Sequence, residues 1–276
     1  MRFASFAENG VNGLAVRTKT GGWAGLLENA DGFPGNLETL LSRGNSLNDA
    51  AAILARGKPV DLDRVTLLPV LSNPGKIICV GLNYADHSAE SGFKQPDYPT
   101  LFGRFNSSLI AHGAPIVRPK LSEQLDYEGE LVAVIGTTVR RHCSRDEAMA
   151  AVLGWTIGND VSAREWQRSD RTFWRCKNSD TFKPMGPYLV TGTDPLSATT
   201  TVRVDGEVKA SFPTGDMLFD PYDFITAMSR YITLSPGDVV WMGTDETAAV
   251  LPGQVVEISI DGLGTLANPV IEEKQP

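Results

Sequence analysis

Cysteine is scarce in this sequence: Cys79, Cys143 and Cys176 are the only three among 276 residues. Their number is odd, their spacing is wide, and no Cys-x-x-Cys or Cys/His cluster of zinc spacing occurs, which argues against a disulfide framework and against a zinc site. Cys79, inside Lys76-Ile77-Ile78-Cys79-Val80, reads as a small buried hydrophobe, whereas Cys143 lies in a charged turn from Arg140 to Arg145 and is expected at the surface. Positive charge is also in deficit. Lys and Arg total 25 against 33 Asp and Glu, a net charge of −8 with no basic run, and this argues against a nucleic-acid partner. No apolar stretch approaches the roughly 18 residues of a membrane span. Residues 1–30 contain no apolar core of a secretion signal, so a cytoplasmic location without a membrane partner is expected. Repeats and low-complexity tracts are missing too.

What remains is an ordinary globular composition, 42% hydrophobic and 21% charged, in a chain long enough for one large domain or two smaller ones. The first 70 residues differ from the rest. Alternating stretches over Met1–Ala7 and Val11–Arg17 precede two helices, Asn36–Ser42 and a second opened by Ser46 or Asn48. The run Leu68-Pro69-Val70-Leu71-Ser72-Asn73-Pro74-Gly75 then punctuates the chain, and the boundary is placed there, giving a small N-terminal α/β domain (1–70) and a larger domain (71–276). Strands dominate the second part: Ile77–Val80, Ile116–Pro119, Leu131–Ile135, Thr156–Asp160, Tyr188–Thr191, Thr201–Val204, Val239–Met242 and Val255–Ile260. Asp205-Gly206 marks a hairpin into Glu207–Lys209. Helices are expected over Arg145–Leu153, with Ser144 and Glu147 spaced as a capping box, and over Pro221–Tyr231. The fold class is therefore α+β and β-rich.

The chemistry is concentrated at the mouth of one strand. Glu128 and Glu130 open the apolar run Leu131-Val132-Ala133-Val134-Ile135, and Asp160 follows in Gly158-Asn159-Asp160-Val161. Residues two apart on a strand face the same way, about 7 Å apart at Cα. Both parities beyond them are apolar, as in a strand covered on both faces. Two such carboxylates about 4 Å apart would repel by about 4 kcal/mol at an effective dielectric near 20, so a cation should sit between them. All-oxygen ligands suit a hard divalent ion, Mg²⁺ first, then Mn²⁺ or Ca²⁺. For the pair alone, a solvated sheet face is the simpler reading; the surrounding residues decide.

Those surroundings resemble the fumarylacetoacetate hydrolase family. The resemblance is carried by Gly81-Leu82-Asn83-Tyr84-Ala85-Asp86-His87-Ser88-Ala89-Glu90, by Asp126–Glu130, by Asn159–Arg164, by Lys177-Asn178-Ser179-Asp180-Thr181-Phe182-Lys183-Pro184-Met185-Gly186-Pro187, by Gly237–Thr244 and by Gly262–Val270. It implies a mixed β-sandwich roll, usually a homodimer, with Mg²⁺ or Mn²⁺ on Glu128, Glu130 and Asp160. It also implies a catalytic His87–Glu90 pair, Lys177 stabilising developing negative charge, and Arg164, Gln167 and Thr244 contacting a small 2-oxo acid substrate. His87 and Glu90 are three apart, so a helical turn would bring them within reach, and a carboxylate would then orient and charge the imidazole.

The reaction expected from the resemblance is hydrolysis of the C3–C4 bond of a 2,4-diketo acid of the acylpyruvate type, releasing pyruvate and a carboxylic acid. In it His87 activates the attacking water. The alternative is a decarboxylase or isomerase of a 2-oxo dicarboxylate on the same site. The chain departs from the family pattern after Gly243-Thr244, where Asp245-Glu246 replace the usual proline and glycines and put two negative charges beside the expected carboxylate site. Arg104 stands where many relatives have Lys. Asp126 is either an acceptor behind the ligands or a solvated turn residue.

Overall fold

The computed structural model describes residues 1–84 and 98–274. Its larger sheet runs, in spatial order, through Lys58–Pro59, Trp23–Leu27, Val11–Arg17, Arg2–Glu8, Lys183–Val190, Val152–Asn159, Leu125–Ile135, Val239–Trp241, Ile77–Gly81 and Thr100–Arg104. The smaller sheet orders Glu207–Pro213, Thr199–Val204, Val255–Ile260, Gly264–Glu272 and Ile116–Arg118. Parallel and antiparallel pairs occur in both. The mixed, strand-rich architecture is the one expected. N-terminal strands enter the larger sheet directly, Arg2 and Phe3 opposite Val190 and Leu189.

The strand Leu125–Ile135 is buried along its whole length. Its odd residues Leu131, Ala133 and Ile135 join Val202, Ile258 and Leu266 in the core between the sheets. Its even residues Val132 and Val134 join Leu37, Leu40, Leu54 and Trp241 in a second core under the helices Leu37–Ser42 and Leu47–Leu54. A strand packed on both faces needs apolar residues at both parities. At Gly129 a Cβ would meet Val202 Cγ2 at 2.9 Å. The missing side chain lets the smaller sheet close there, and Glu128 and Glu130 turn to the opposite face.

Local signals account for most helix starts. Ser46 caps its helix through Asp49 N, and Ser144 with Glu147 forms the reciprocal capping box. The helix expected to reach Leu153 ends at Ala151, because Val152 already belongs to the strand Val152–Asn159. Cys143 departs from expectation. It is buried rather than exposed, its N–H donates to Ser229 Oγ, and its side chain joins the inter-sheet core, so the charged turn is wrapped around an apolar anchor.

Candidate active site

Strand register assembles the carboxylates. Gly129 pairs with Asn159, so Asp160 arrives beside Glu128; Asp160 N–H donates to the Glu128 carbonyl at 2.9 Å, and Glu128 N–H donates to Asn159 Oδ1 at 3.0 Å. Glu128, Glu130 and Asp160 are all buried, and each offers an oxygen within 4.8 Å of the others. The three sequence-derived ligand candidates are thus brought together.

Cations gather around two of them. Lys177 Nζ donates to Glu128 Oε2 at 3.0 Å and to Asp160 Oδ2 at 2.5 Å. Arg104 and Lys183 both donate to Asp160 Oδ1. Arg164 donates through Nη2 to Glu128 Oε1 at 2.9 Å and through Nε to Asp126 Oδ2 at 2.8 Å. Asp126 is therefore a buried acceptor that holds Arg164, not a solvated turn residue. Burial disfavours the charge of Asp160, but Arg104, Lys177 and Lys183 outweigh it and hold the carboxyl below the usual range. Glu128 behaves likewise: burial opposes ionisation, and Lys177 and Arg164 outweigh it.

Glu130 is different. Among the described residues it makes no ion pair; its Oε2 accepts one hydrogen bond, from Gly243 N–H at 2.9 Å. Burial, then the neighbouring Asp160 charge, pushes its carboxyl up to about 8. A buried carboxylate without an ion pair among the described residues, beside two others, suits a divalent cation, and an all-carboxylate donor set is right for Mg²⁺ or Mn²⁺. Gly243 reaches Glu130 with a left-handed backbone (φ 78°), where a side chain would be strained.

Glu128, one member of the triad, lines a cavity of about 590 Å³. Arg164, Gln167, Lys177 and Thr244 line it, so the expected substrate-contacting residues converge on one space. Within it Gln167 Oε1 accepts from Arg164 Nη1 at 2.6 Å, while the Thr244 hydroxyl donates to the Glu246 carbonyl at 3.0 Å. Phe102 and Phe173 form an apolar wall, edge to face at 5.3 Å. His87 and Glu90 lie outside the described residues.

Sequence reasoning missed Lys183. Its ammonium is fully buried, 3.2 Å from Cys79 Sγ and 3.4 Å from the centroid of the Trp241 ring as well as bonded to Asp160. The available signal was a lysine heading the otherwise apolar strand Lys183–Val190. Cys79, buried as expected, has its thiol pushed up to about 12, by burial above all, so it stays protonated and inert.

Residues 76–271 match the family described as fumarylacetoacetate (FAA) hydrolase C-terminal. The chain is 35% identical over 290 residues to the human mitochondrial oxaloacetate tautomerase FAHD2A, covering 98% of this chain and 92% of that protein. Among solved structures, the fumarylacetoacetate hydrolase of Exiguobacterium antarcticum has a TM-score of 0.85 and 33% identity, covering 99% of this chain and all of that one. A maleylpyruvate hydrolase from Sphingobium sp. SYK-6, in complex with manganese(II) and pyruvate, has a TM-score of 0.82 and 27% identity over 99% of this chain and 100% of its own.

Proposed function

The chain belongs to the fumarylacetoacetate hydrolase family, and on that premise we propose that it is a metal-dependent enzyme interconverting the keto and enol forms of a small 2-oxo dicarboxylate, with Glu128, Glu130 and Asp160 as the ion's ligands. Glu130 carries this reading: it is a buried carboxylate without an ion pair among the described residues, clustered with Asp160 and with Glu128, which lines a cavity. Mg²⁺ or Mn²⁺ bound there would supply Lewis acidity toward a 2-oxo carboxylate. Lys177 and Arg164, bonded to the triad and lining the cavity, would lend positive potential to negative charge on the substrate's near oxygens.

Enolisation then requires one proton shuttle. His87, oriented by Glu90, takes the proton from C3 and delivers it to the C2 oxygen; one C–H bond breaks, one O–H bond forms, and no net charge changes. The motif around these two residues supports their roles. Gln167 and Thr244 orient the substrate from the cavity wall. The alignment with an oxaloacetate tautomerase over nearly the whole chain favours this reaction.

A second reading, hydrolysis of the C3–C4 bond of an acylpyruvate, is favoured by the structural likeness to a maleylpyruvate hydrolase. There His87 takes its proton from a water attacking C4, and C3 is protonated as its bond to C4 breaks. A panel of oxaloacetate and acylpyruvates, with Mg²⁺, Mn²⁺ or chelator, separates the two. Faster decay of the oxaloacetate enol absorbance than with ion alone, abolished by chelator, supports the first. Release of pyruvate and a carboxylic acid from acylpyruvates moves the assignment to the second. In either case His87→Ala should lower turnover by about 10²- to 10⁴-fold while Mn²⁺ binding persists. No rate above the ion-only controls on any substrate sinks both.

A further inference from the structure

We propose that Arg168 reads a second carboxylate at the far end of the substrate, making this site selective for dianionic 2-oxo acids; the inference rests on the 2-oxo acid reading above and extends it. Arg164 to Gln167 form one helical turn, and Arg168 continues it in helical conformation (φ −59°, ψ −27°). Residues 164, 167 and 168 stand at i, i+3 and i+4, so they share one face of that turn. All three line the cavity together with Glu128 of the carboxylate triad.

Among the described residues, the charged side chains lining that cavity are Glu128, Arg164, Arg168 and Lys177. Two of the three cations are already committed. Arg164 spends Nε on Asp126, Nη1 on Gln167 and Nη2 on Glu128 and Thr247. Lys177 is buried between Glu128 and Asp160. The Arg168 guanidinium, by contrast, is exposed and makes no ion pair or hydrogen bond among the described residues; only its backbone N–H is used, toward the Trp166 carbonyl. Its neighbour Arg175 is engaged, 5.2 Å from the Trp166 ring centroid and bonded to Ser169 Oγ.

Glu128, Arg164 and Lys177, buried or half-buried, are matched to one another; the exposed Arg168 guanidinium has no partner among the described residues, and the apolar side chains of Val80, Leu82, Phe102 and Phe173 also line the cavity. A ligand complementary to this profile carries a 2-oxo carboxylate at one end, a short carbon chain, and a second anion at the other. The planar fork of an arginine fits a carboxylate through two parallel hydrogen bonds, which an ammonium cannot reproduce.

The test is binding by calorimetry to the Mn²⁺-loaded protein, comparing pyruvate with oxaloacetate, 2-oxoglutarate and 2-oxoadipate, for the wild type, Arg168→Gln and Arg168→Lys. At least one dicarboxylate should bind the wild type more tightly than pyruvate, and Arg168→Gln should weaken that ligand by about tenfold to a hundredfold. Pyruvate affinity should change by less than about twofold, and Arg168→Lys should recover only part of the loss. With a turned-over dicarboxylate the loss should fall on KM rather than kcat, because the distal contact is the same in ground and transition states. Equal weakening of pyruvate and dicarboxylate, or no weakening of either, overturns the assignment of Arg168 while leaving the 2-oxo acid reading in place. Failure of the wild type to bind any of the four overturns both.

Discussion

Two carboxylates of one cluster should respond in opposite directions when converted to amides. In Asp160→Asn the acceptor shared by Arg104, Lys177 and Lys183 loses its charge, and three buried cations lose their common partner. Breaking a buried pair costs about 3–5 kcal/mol, which at about 2–4 °C per kcal/mol lowers Tm by about 10 °C. In Glu130→Gln the change removes a charge that has no ion pair among the described residues, and the amide oxygen can still accept from Gly243 N–H. The Glu130 carboxyl is raised from 4.5 to about 8 on folding. Between those two values the folded state holds a proton that the unfolded state has released, so stability of the metal-free wild type falls as pH rises through that window. At pH 8 the ionising group destabilises the fold by a few kcal/mol, because each tenfold change in proton affinity between the unfolded and folded states is worth about 1.4 kcal/mol. Glu130→Gln should therefore melt several degrees above the wild type at pH 8 in EDTA, with the advantage shrinking toward zero near pH 4.5. Thermal melts of the three proteins in EDTA at pH 5, 6.5 and 8 decide it. A wild-type-like Asp160→Asn, or a Glu130→Gln that is less stable at every pH, would refute the assignment of paired and unpaired carboxylates.

Metal binding should displace the proton that Glu130 retains below about 8, so Mn²⁺ affinity should rise about tenfold per pH unit between pH 5.5 and 7.5 and then level off; calorimetry in buffers of different ionisation heat would also count the released proton, and a pH-independent affinity contradicts this. Gly158→Ala should be poorly tolerated, since its Cβ would lie 2.0 Å from Trp241 Cζ3. The overpacking should cost at least about 1–3 kcal/mol and, two residues from Asp160, should weaken Mn²⁺ binding as well; a variant with unchanged Tm and affinity would show that Trp241 moves freely.

Much of the fold follows from local chemistry. Ser144 and Glu147 mark a helix start because each satisfies the other's backbone, and Asp205-Gly206 turns a hairpin because both residues accept positive φ, here 51° and 81°. The apolar run Leu131–Ile135 announces its double burial by lacking any polar parity. Its true extent was not legible. The strand begins at Leu125, and its first half carries Asp126, Glu128 and Glu130, residues that disfavour strands unless something distant compensates their burial. For Asp126 and Glu128 the compensation comes from Arg164 and Lys177, in segments with no sequence proximity. For the same reason the acidic triad could be read from spacing, but the identity of the cations around it could not. Cys143 shows the converse: a polar neighbourhood in sequence became an apolar one in space once Ser229 and the inter-sheet core closed over it.

The strand Leu125–Ile135 has a consequence for how this architecture can diversify. Clamped between two cores, it offers its glutamates from a strand buried along its whole length. Arg168 and Thr244 face the same cavity from a helical turn and from a loop beside the strand Thr247–Val250. The proposed ion ligands Glu128 and Glu130 are thus bolted to the chassis, while the groups proposed to choose among substrates ride on parts that can be exchanged. New specificities can arise by rewriting the periphery, and any change that disturbs the beam itself puts stability and chemistry at risk together.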